Sequence, residues 1–266
     1  MLDLEFAQAS DCGRVRDHNE DYLGYVLPEA AEREKGGGWL FAIADGVGGQ
    51  EKGEVASRTA VETLLSGFRR APRGEQLRSL LPRLVQAANE KVFETGLACG
   101  PGGAAMATTL VACALRFDRV VVSHVGDSRC YSIRHGHATA LTRDHTVVAE
   151  KARLGLISAN GTAVAETRHV LTRSLGKGMF VGVDTSDHLL LSGDVLLLCS
   201  DGLHGAISGN EMADIVTRNS NLNAAASELI GTANERDGAD NVSVQLIRLR
   251  SVERVGMYRG RPYKLA

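Results

Sequence analysis

Seven short apolar or β-branched runs, most of them closed by a glycine or an aspartate, constrain the fold of this chain most strongly. Runs of this length and composition are typical of β-strands. Between residues 113 and 137 the turn residues come at hairpin spacing, which predicts that the strands there are antiparallel neighbours. The predicted strands are Trp39–Ala44, Thr108–Leu115, Arg119–Val125, Arg129–Ile133, Asp187–Leu191, Val195–Cys199 and Val242–Leu249.

Four longer segments carry apolar residues at helical spacing. Two of them, Val55–Phe68 and Leu80–Val92, lie between the first predicted strand and the second. The other two, Glu211–Thr217 and Ala224–Asn234, come before the last strand. Because the helices are grouped and do not alternate with single strands, this order predicts an α+β fold in which antiparallel sheets are flanked by helices.

The length of 266 residues suits one large globular domain or two small ones, and no linker is evident before about residue 250. We therefore predict a single domain over residues 1–250. The remaining residues, 251–266, carry four basic side chains and one acid. That composition indicates a basic tail or linker.

Charge and cysteine usage exclude several classes of protein. Thirty Lys and Arg against 32 Asp and Glu give a formal net charge of −2, which offers no bulk attraction to nucleic acid or to an anionic membrane surface. No apolar run approaches the roughly 20 residues of a membrane span, and the first five residues lack the features of a secretion signal. The five cysteines are odd in number and form no CxxC, which favours reduced thiols. We expect a cytoplasmic protein.

Four aspartates follow small or apolar residues and precede a glycine or a polar turn: Asp45, Asp127, Asp201 and Asp240. We expect rigid strand ends to hold these carboxylates close together. Buried carboxylates that converge repel one another and resist ionisation, so such a cluster needs cations. Oxygen ligands without Cys or His indicate a hard ion, Mg²⁺ or Mn²⁺. A tight turn is the better explanation of any one Asp-Gly pair, but four such aspartates favour a site.

Residues 13–21 add a polar segment with little apolar content. Arg16 stands four residues before the acidic pair Glu20 and Asp21. A guanidinium is suited to holding a phosphoryl group through two parallel charge-assisted hydrogen bonds. The alternative interpretation is a solvated charged loop.

Eight different short motifs follow one another along the chain. They are Arg16-Asp-His-Asn19-Glu20-Asp21, Asp45-Gly46-Val-Gly48-Gly49, Ala107-Thr108-Thr109, Gly126-Asp127-Ser128-Arg129, Leu141-Thr-Arg-Asp144-His145, Leu171-Thr172-Arg173-Ser-Leu175-Gly176, Ser200-Asp201-Gly202 and Asp240-Asn241. In order and approximate spacing this series resembles the metal-dependent (type 2C) serine/threonine protein phosphatases, and most of all their compact bacterial branch. The resemblance runs from about Ala7 to about Leu249.

The resemblance implies a fold and a set of metal ligands. The fold is a β-sandwich of two antiparallel sheets with pairs of helices outside, a four-layer αββα arrangement, and a small flap at about residues 145–170. Asp45 would bridge two metal ions, and Gly46 would offer its carbonyl oxygen to the first. Glu20 would reach that first ion through water, with Asp21 beside it.

The remaining implied roles concern the second metal and the phosphate. Asp201 and Asp240 would bind the second ion, and Asp127 together with Asp201 would hold a third and weaker one. Arg16 would bind the phosphate, so the catalytic residues would be Arg16, Asp45 and Asp201.

The reaction implied is hydrolysis of phosphoserine and phosphothreonine in proteins by a water that bridges two divalent ions, Mn²⁺ or Mg²⁺. No covalent intermediate is needed. The expected partners are phosphorylated proteins, in particular a serine/threonine kinase or its substrates, and we expect a monomer that serves signalling.

Two other functions stay open. Val47 stands where the eukaryotic branch has a His after Asp-Gly that is proposed to protonate the leaving alkoxide. The chain could therefore be a catalytically weak module that binds a phosphoprotein or a kinase. A metal-dependent nuclease would use the same two-metal chemistry, but it needs a basic groove that the charge balance does not suggest.

Overall fold

The computed structural model of the chain describes residues 2–29, 38–47, 52–72, 74–100, 106–157, 170–252, 254–258 and 261–264. Twelve strands and six helices occur in these ranges. The strands are β1 (Leu2–Asp11), β2 (Asp21–Val26), β3 (Trp39–Asp45), β4 (Leu110–Arg116), β5 (Arg119–Val125), β6 (Arg129–Arg134), β7 (His137–Ala140), β8 (Asp184–Leu189), β9 (Val195–Cys199), β10 (Val242–Val252), β11 (Val255–Tyr258) and β12 (Arg261–Lys264). The helices are α1 (Gly53–Arg70), α2 (Leu77–Ala98), α3 (Val147–Arg153), α4 (Asp201–Ala206), α5 (Gly209–Arg218) and α6 (Leu222–Arg236).

The strands form two five-stranded antiparallel sheets. One has the order β1-β10-β9-β6-β7 and the other the order β2-β3-β4-β5-β8. Two-residue turns join β4 to β5 and β6 to β7, and β10 returns late in the chain to pair with β1 over the whole length of that strand. The predicted α+β class with two antiparallel sheets is confirmed.

Three apolar layers hold the sandwich together. The layer between the sheets contains Phe41 and Leu198, both without exposed surface. Helices α1 and α2 cover the sheet that contains β3. Helices α5 and α6 cover the sheet that contains β10. Sheet faces with a helix pair on each outer side make the four-layer αββα architecture, as predicted.

Several strands differ from the sequence prediction. Strands β1, β2 and β7 were not predicted, and β8 begins at Asp184, three residues before the predicted start. In β1 apolar side chains alternate with Asp3 and Glu5, residue types that are depleted in strands. Pairing with all of β10 stabilises β1 in spite of this composition.

The flap and the basic tail are described only in part. Helix α3 lies inside the predicted flap at residues 145–170, and residues 158–169 lie outside the described ranges. Strand β10 extends to Val252, and β11 and β12 pair with each other in the basic segment 251–266. Sequence analysis predicted no strand in that segment. Within the described residues no helix is both long enough and apolar enough to cross a membrane.

Candidate active site

The predicted site carboxylates lie at one end of the sandwich. Asp45 ends β3, and its partner in the strand register is Asp21, the first residue of β2. Asp127 follows β5, and Asp201 follows β9. Asp240 comes before β10, so this aspartate stands at the entry of a strand and not at an exit. In an antiparallel sheet the entry of one strand lies beside the exit of the next, which brings all five to the same end.

Thr108 and Thr109 fix the end of β3 where Asp45 lies. The backbone N–H of Asp45 donates to the Thr109 hydroxyl at 3.0 Å. The Asp45 carbonyl accepts from the Thr108 hydroxyl and from the Thr109 N–H, each at 2.8 Å. The next residue, Gly46, lies so close to α1 that a Cβ there would be 2.5 Å from the Gly53 carbonyl. This Asp-Gly pair is therefore a close crossing of two backbones and not a hairpin turn.

Burial and mutual repulsion dominate the electrostatics of the carboxylate cluster, which we define as Asp21, Asp45, Asp127, Asp201 and Asp240. Burial raises the pKa of Asp45 well above its usual range, and the other four carboxylates raise it further. Burial raises the pKa of Asp21 to about 7, against the opposing effect of nearby serine hydroxyls. Each carboxylate thus makes the ionisation of its neighbours more costly.

The donor set of this cluster fits divalent cations. All of the side-chain atoms in it that could bind a metal are carboxylate oxygens, which hard ions prefer. Ser200 donates to Asp21 Oδ2 at 2.7 Å, whereas the buried Oδ1 of Asp21 accepts no hydrogen bond within the described residues. A cation would satisfy that oxygen and offset the repulsion. No three of these carboxylates bring ligand atoms within 4.8 Å of one another in the described part of the chain. The cluster is therefore wider than the ligand set of one ion.

Glu20 lies between the carboxylate cluster and the start of α1. Its backbone carbonyl accepts from the Gly46 N–H at 3.1 Å. A Cβ on Gly53, the first residue of α1, would lie 2.8 Å from Glu20 Oε1. Partial burial raises the pKa of Glu20, and Arg16 opposes that rise. Glu20 therefore lies beside the carboxylate cluster.

Arg16 lies at the rim of the same region. Its Nη2 donates to Asp240 Oδ2 at 3.0 Å, and about 40% of each side chain is exposed. The guanidinium is therefore accessible from solvent and fixed beside one predicted metal ligand. A guanidinium at this position can contact an anion that approaches from solvent.

Asn241 holds the loop that carries Arg16, a role that sequence analysis did not assign. Its side-chain amide donates to the carbonyls of Cys12 at 3.0 Å and His18 at 2.9 Å. Its Oδ1 accepts from the Glu20 N–H at 2.8 Å. Asn241 is almost fully buried, and an Asn that follows Asp just before a strand was the only signal in the sequence.

Asp201 begins helix α4, so its Asp-Gly pair is not a turn. A Cβ on Gly202 would lie 2.2 Å from the carbonyl oxygen of Asn241. Only a residue without a side chain permits this approach. The close crossing sets the Asp201 and Asp240 segments side by side.

Asp127 is buried in the connection between β5 and β6. Its backbone carbonyl accepts from His204 Nε2 at 2.9 Å. The next residue, Ser128, hydrogen bonds through its hydroxyl to the Thr109 hydroxyl at 2.7 Å. Because Thr109 also holds Asp45, the two aspartates are linked through one pair of hydroxyls.

A second group of metal-ligand side chains lies nearby. Ligand atoms of His124, His145 and Asp184 all fall within 4.8 Å of one another. Together with Arg173 these residues form what we call the His–Asp–Arg cluster. Arg173 Nη1 donates to Asp184 Oδ1 at 2.8 Å, so a protein cation already offsets this carboxylate.

The imidazole nitrogens of the His–Asp–Arg cluster are also engaged. The Gly126 N–H donates to His145 Nδ1 at 3.1 Å, which places the ring proton on Nε2. That nitrogen faces Asp184 Oδ2 at 3.4 Å. His124 Nε2 lies 2.8 Å from the Arg143 carbonyl, and the two imidazoles stack with centroids 4.7 Å apart. We therefore interpret His145 as structural.

Comparison with known proteins agrees with this geometry. Residues 14–243 match the family model described as protein phosphatase 2C. The serine/threonine phosphatase stp of Listeria welshimeri is 34% identical over 258 residues, which cover 95% of this chain and 96% of that protein. The serine/threonine phosphatase of S. agalactiae superposes with a TM-score of 0.84 at 31% identity, over 92% of this chain and 99% of that one.

A further solved structure contains metal. The catalytic domain of the serine/threonine protein phosphatase PstP, in complex with two manganese ions, superposes with a TM-score of 0.79 at 31% identity. The match covers 94% of this chain and 99% of that one. A four-layer sandwich with an acidic cluster at one end defines a class of metal-dependent phosphatases. The chain belongs to the protein phosphatase 2C family, and its similarity to bacterial members confirms the predicted branch.

Proposed function

We propose that the chain is a protein serine/threonine phosphatase that acts through the carboxylate cluster. One observation carries the proposal: Asp21 is buried, Asp45 is its partly buried register partner, and burial and the other carboxylates oppose the ionisation of both. Such an arrangement is stable as a set of anions only with cations bound. The manganese ions of PstP support divalent metals as those cations.

Each carboxylate then has a role as a ligand. Asp45 and the Gly46 carbonyl would hold the first ion, with Glu20 and Asp21 beside it. Asp201 and Asp240 would hold the second ion together with Asp45. Two divalent ions, when bound, lower the pKa of water so that it becomes a nucleophile near neutral pH, and they offset phosphoryl charge.

A third and weaker ion at Asp127 and Asp201 is part of the proposal. The support is that Asp127 is buried close enough to Asp45 to raise the pKa of that carboxyl. Mn²⁺ and Mg²⁺ are the proposed metals, because all donors are oxygens.

The chain's own residues bind and orient the substrate. Arg16 uses Nη2 to contact Asp240, and its planar guanidinium has further N–H donors for phosphoryl oxygens. Asn241 fixes the loop on which Arg16 stands. Val47 places an apolar side chain after Asp45-Gly46 and has no proton to donate to a leaving group.

The proposed substrates are phosphorylated proteins, including a serine/threonine kinase or its targets. The proposal places a monomer in the cytoplasm, where it would serve signalling. The alternative of a catalytically weak binding module is not favoured, because the similar proteins are named phosphatases.

Hydrolysis of p-nitrophenyl phosphate and of a phosphothreonine peptide tests the proposal. Both should depend on added Mn²⁺ or Mg²⁺, and Asp201→Asn should abolish both. Turnover that continues unchanged in EDTA would contradict the metal-dependent mechanism. Tight phosphopeptide binding without turnover at saturating Mn²⁺ would support the binding module instead.

A further inference from the structure

Residues 176–183, which we call the Met-Phe loop, expose two large apolar side chains. Phe180 is 83% exposed and Met179 is 59% exposed. Phe180 is the most exposed large hydrophobic residue within the described ranges. Adjacent exposed apolar side chains favour an interaction surface. Enzymes of this family act on proteins, so such a surface has a ready partner class.

The backbone of the Met-Phe loop is fixed by two side chains of α2. Asn89 Nδ2 donates to the carbonyls of Gly178 at 2.8 Å and Met179 at 3.0 Å. Gln86 Nε2 donates to the same Met179 carbonyl at 2.6 Å. Asn89 has no exposed surface. Because a buried amide holds the loop backbone, the fold itself fixes the conformation in which Met179 and Phe180 are exposed.

The apolar core beneath the loop is already filled by other residues of the same segment. Val181 and Val183 are partly buried against the core that α1 and α2 share with their sheet. The Val181 N–H donates to Gln86 Oε1 at 3.2 Å, which fixes the return of the loop to the sheet. The core beneath the loop is therefore filled without Phe180, whose side chain remains exposed.

The Met-Phe loop begins beside the carboxylate cluster. Leu175 exchanges two backbone hydrogen bonds with Thr108, at 2.8 and 3.2 Å. The Thr108 hydroxyl in turn donates to the carbonyl of Asp45. Phe180 is the fifth residue after Leu175, so its Cα lies at most about 18 Å from this point. A chain that places its phosphate at the cluster would reach Phe180 within about six residues.

The charge of the Met-Phe loop suits an anionic occupant. Lys177 is its only charged residue, and it is exposed. A phosphorylated segment carries about −1.5 to −2 charge on each phosphate near neutral pH. The loop therefore presents a cation beside an apolar pair and no carboxylate that would repel the segment.

We propose that the Met-Phe loop docks an apolar side chain of the phosphoprotein substrate, located within about six residues of the phosphorylated Ser or Thr. The inference rests on the proposed phosphatase function. It assigns Met179 and Phe180 to substrate selection and not to chemistry. Removing them should raise KM for matching substrates and leave the turnover of small phosphate esters unchanged.

A set of phosphothreonine peptides tests the docking. Each peptide carries one Leu at a different position from −6 to +6 in a Gly/Ser background, and the parent peptide carries none. The wild type should favour Leu at one or two positions by roughly fivefold to tenfold in kcat/KM, the size expected for one good apolar contact. The double variant Met179→Ser/Phe180→Ser should lose this preference.

Matched controls separate docking from folding and from catalysis. Leu189→Ser changes an exposed apolar residue at the far end of β8 and should retain the preference. Hydrolysis of p-nitrophenyl phosphate should be equal in all three proteins, whereas its absence from the wild type would overturn the proposed function itself. A wild type without positional preference, or a double variant that keeps it, would overturn the docking. So would sedimentation that shows a dimer of this chain dissociating in the double variant.

Discussion

The carboxylate cluster and the His–Asp–Arg cluster lie at the same end of the sandwich, yet their charges are balanced in opposite ways. In the carboxylate cluster, the neighbouring acids oppose the ionisation of Asp45. In the other, Arg173 and His145 favour the ionised form of Asp184 and lower its pKa despite partial burial. Both groups contain side chains of types that ligate metals in proteins.

The two clusters therefore differ in two properties that favour a metal site, the proximity of the ligand atoms and the balance of charge. The His–Asp–Arg cluster meets a tight distance criterion, but its carboxylate already has a guanidinium partner and its imidazoles have hydrogen-bond partners. The carboxylate cluster is wider, but burial and the neighbouring acids oppose the ionisation of Asp45. That opposition gives a cation a reason to bind.

The largest expected effect follows from Asp45→Asn. We expect metal-dependent hydrolysis of p-nitrophenyl phosphate to fall by roughly a thousandfold or more, because the bridging position would lose its charge. The metal-free variant should also be more stable than the wild type by about 1–3 kcal/mol at pH 8, since one buried anion is gone. Activity with Mn²⁺ and thermal unfolding in EDTA measure the two effects.

The matched control for Asp45→Asn is Asp184→Asn, the same change in the His–Asp–Arg cluster. It should retain the stabilisation by Mn²⁺ that the wild type shows and that Asp45→Asn reduces. Equal loss of that stabilisation in both variants would remove the distinction between the clusters.

Asp21 should set the direction in which the free energy of unfolding changes with pH. Its pKa is about 7 in the folded chain and about 4 in the unfolded chain. The unfolded state therefore ionises first, and the metal-free protein should lose stability as pH rises from about 4 to about 7. At about 1.4 kcal/mol per pKa unit, the loss amounts to a few kcal/mol.

Urea unfolding in EDTA at several pH values measures this slope. Asp21→Asn should flatten it, because the variant has no carboxyl to titrate at that position. Mn²⁺ should flatten it in the wild type as well. A slope that is the same in wild type and variant would show that Asp21 is not the group responsible.

The sequence predicted the carboxylates of the site better than their supports. Asp45, Asp127 and Asp201 could be found because each follows an apolar strand in the chain, a local pattern. Asn241 could not, because its partners Cys12 and His18 are more than 220 residues away in sequence. A buried amide has no periodicity of its own, and its role emerges only when the sheets bring its partners together.

The fold shows the same division. Strands β5 and β9 were predicted with correct bounds, since β9 is a continuous apolar run and β5 carries four valines between turn residues. Helix α4 was not predicted, because Asp201-Gly202 is typical of a turn. The close approach of Gly202 to Asn241 explains the glycine instead, and that contact joins two segments that are far apart in the chain.

Asn241→Ala should have an intermediate effect on the carboxylate side of the comparison. The variant would lose the two hydrogen bonds that Asn241 donates to the loop of Arg16 and the one that it accepts from the Glu20 N–H. We therefore expect kcat/KM to fall by about 10- to 100-fold. Combining it with Arg16→Ala should cost less than the sum of the two, because both act through one guanidinium. Steady-state kinetics of the single and double variants measure the coupling.

Asn219→Ala is the matched control, since Asn219 also bonds through its side chain but lies between α5 and α6. It should leave kcat/KM unchanged. Additive effects of Asn241→Ala and Arg16→Ala would indicate that Asn241 does not act through Arg16.

The smallest effect should come from Asp184→Asn on stability. The Arg173–Asp184 pair is nearly half exposed on both sides, so its loss should cost at most about 1 kcal/mol at pH 7. The sign of the pH dependence is opposite to that of Asp21: the folded pKa is lowered, so this stability is present above the unfolded pKa of about 4 and is lost as pH falls below it. Urea unfolding of variant and wild type in EDTA should therefore differ slightly at pH 7 and converge near pH 3. A difference that grows on acidification would mean that Asp184 is not stabilised by its cationic neighbour, and the contrast between the two clusters would fail at its weaker side.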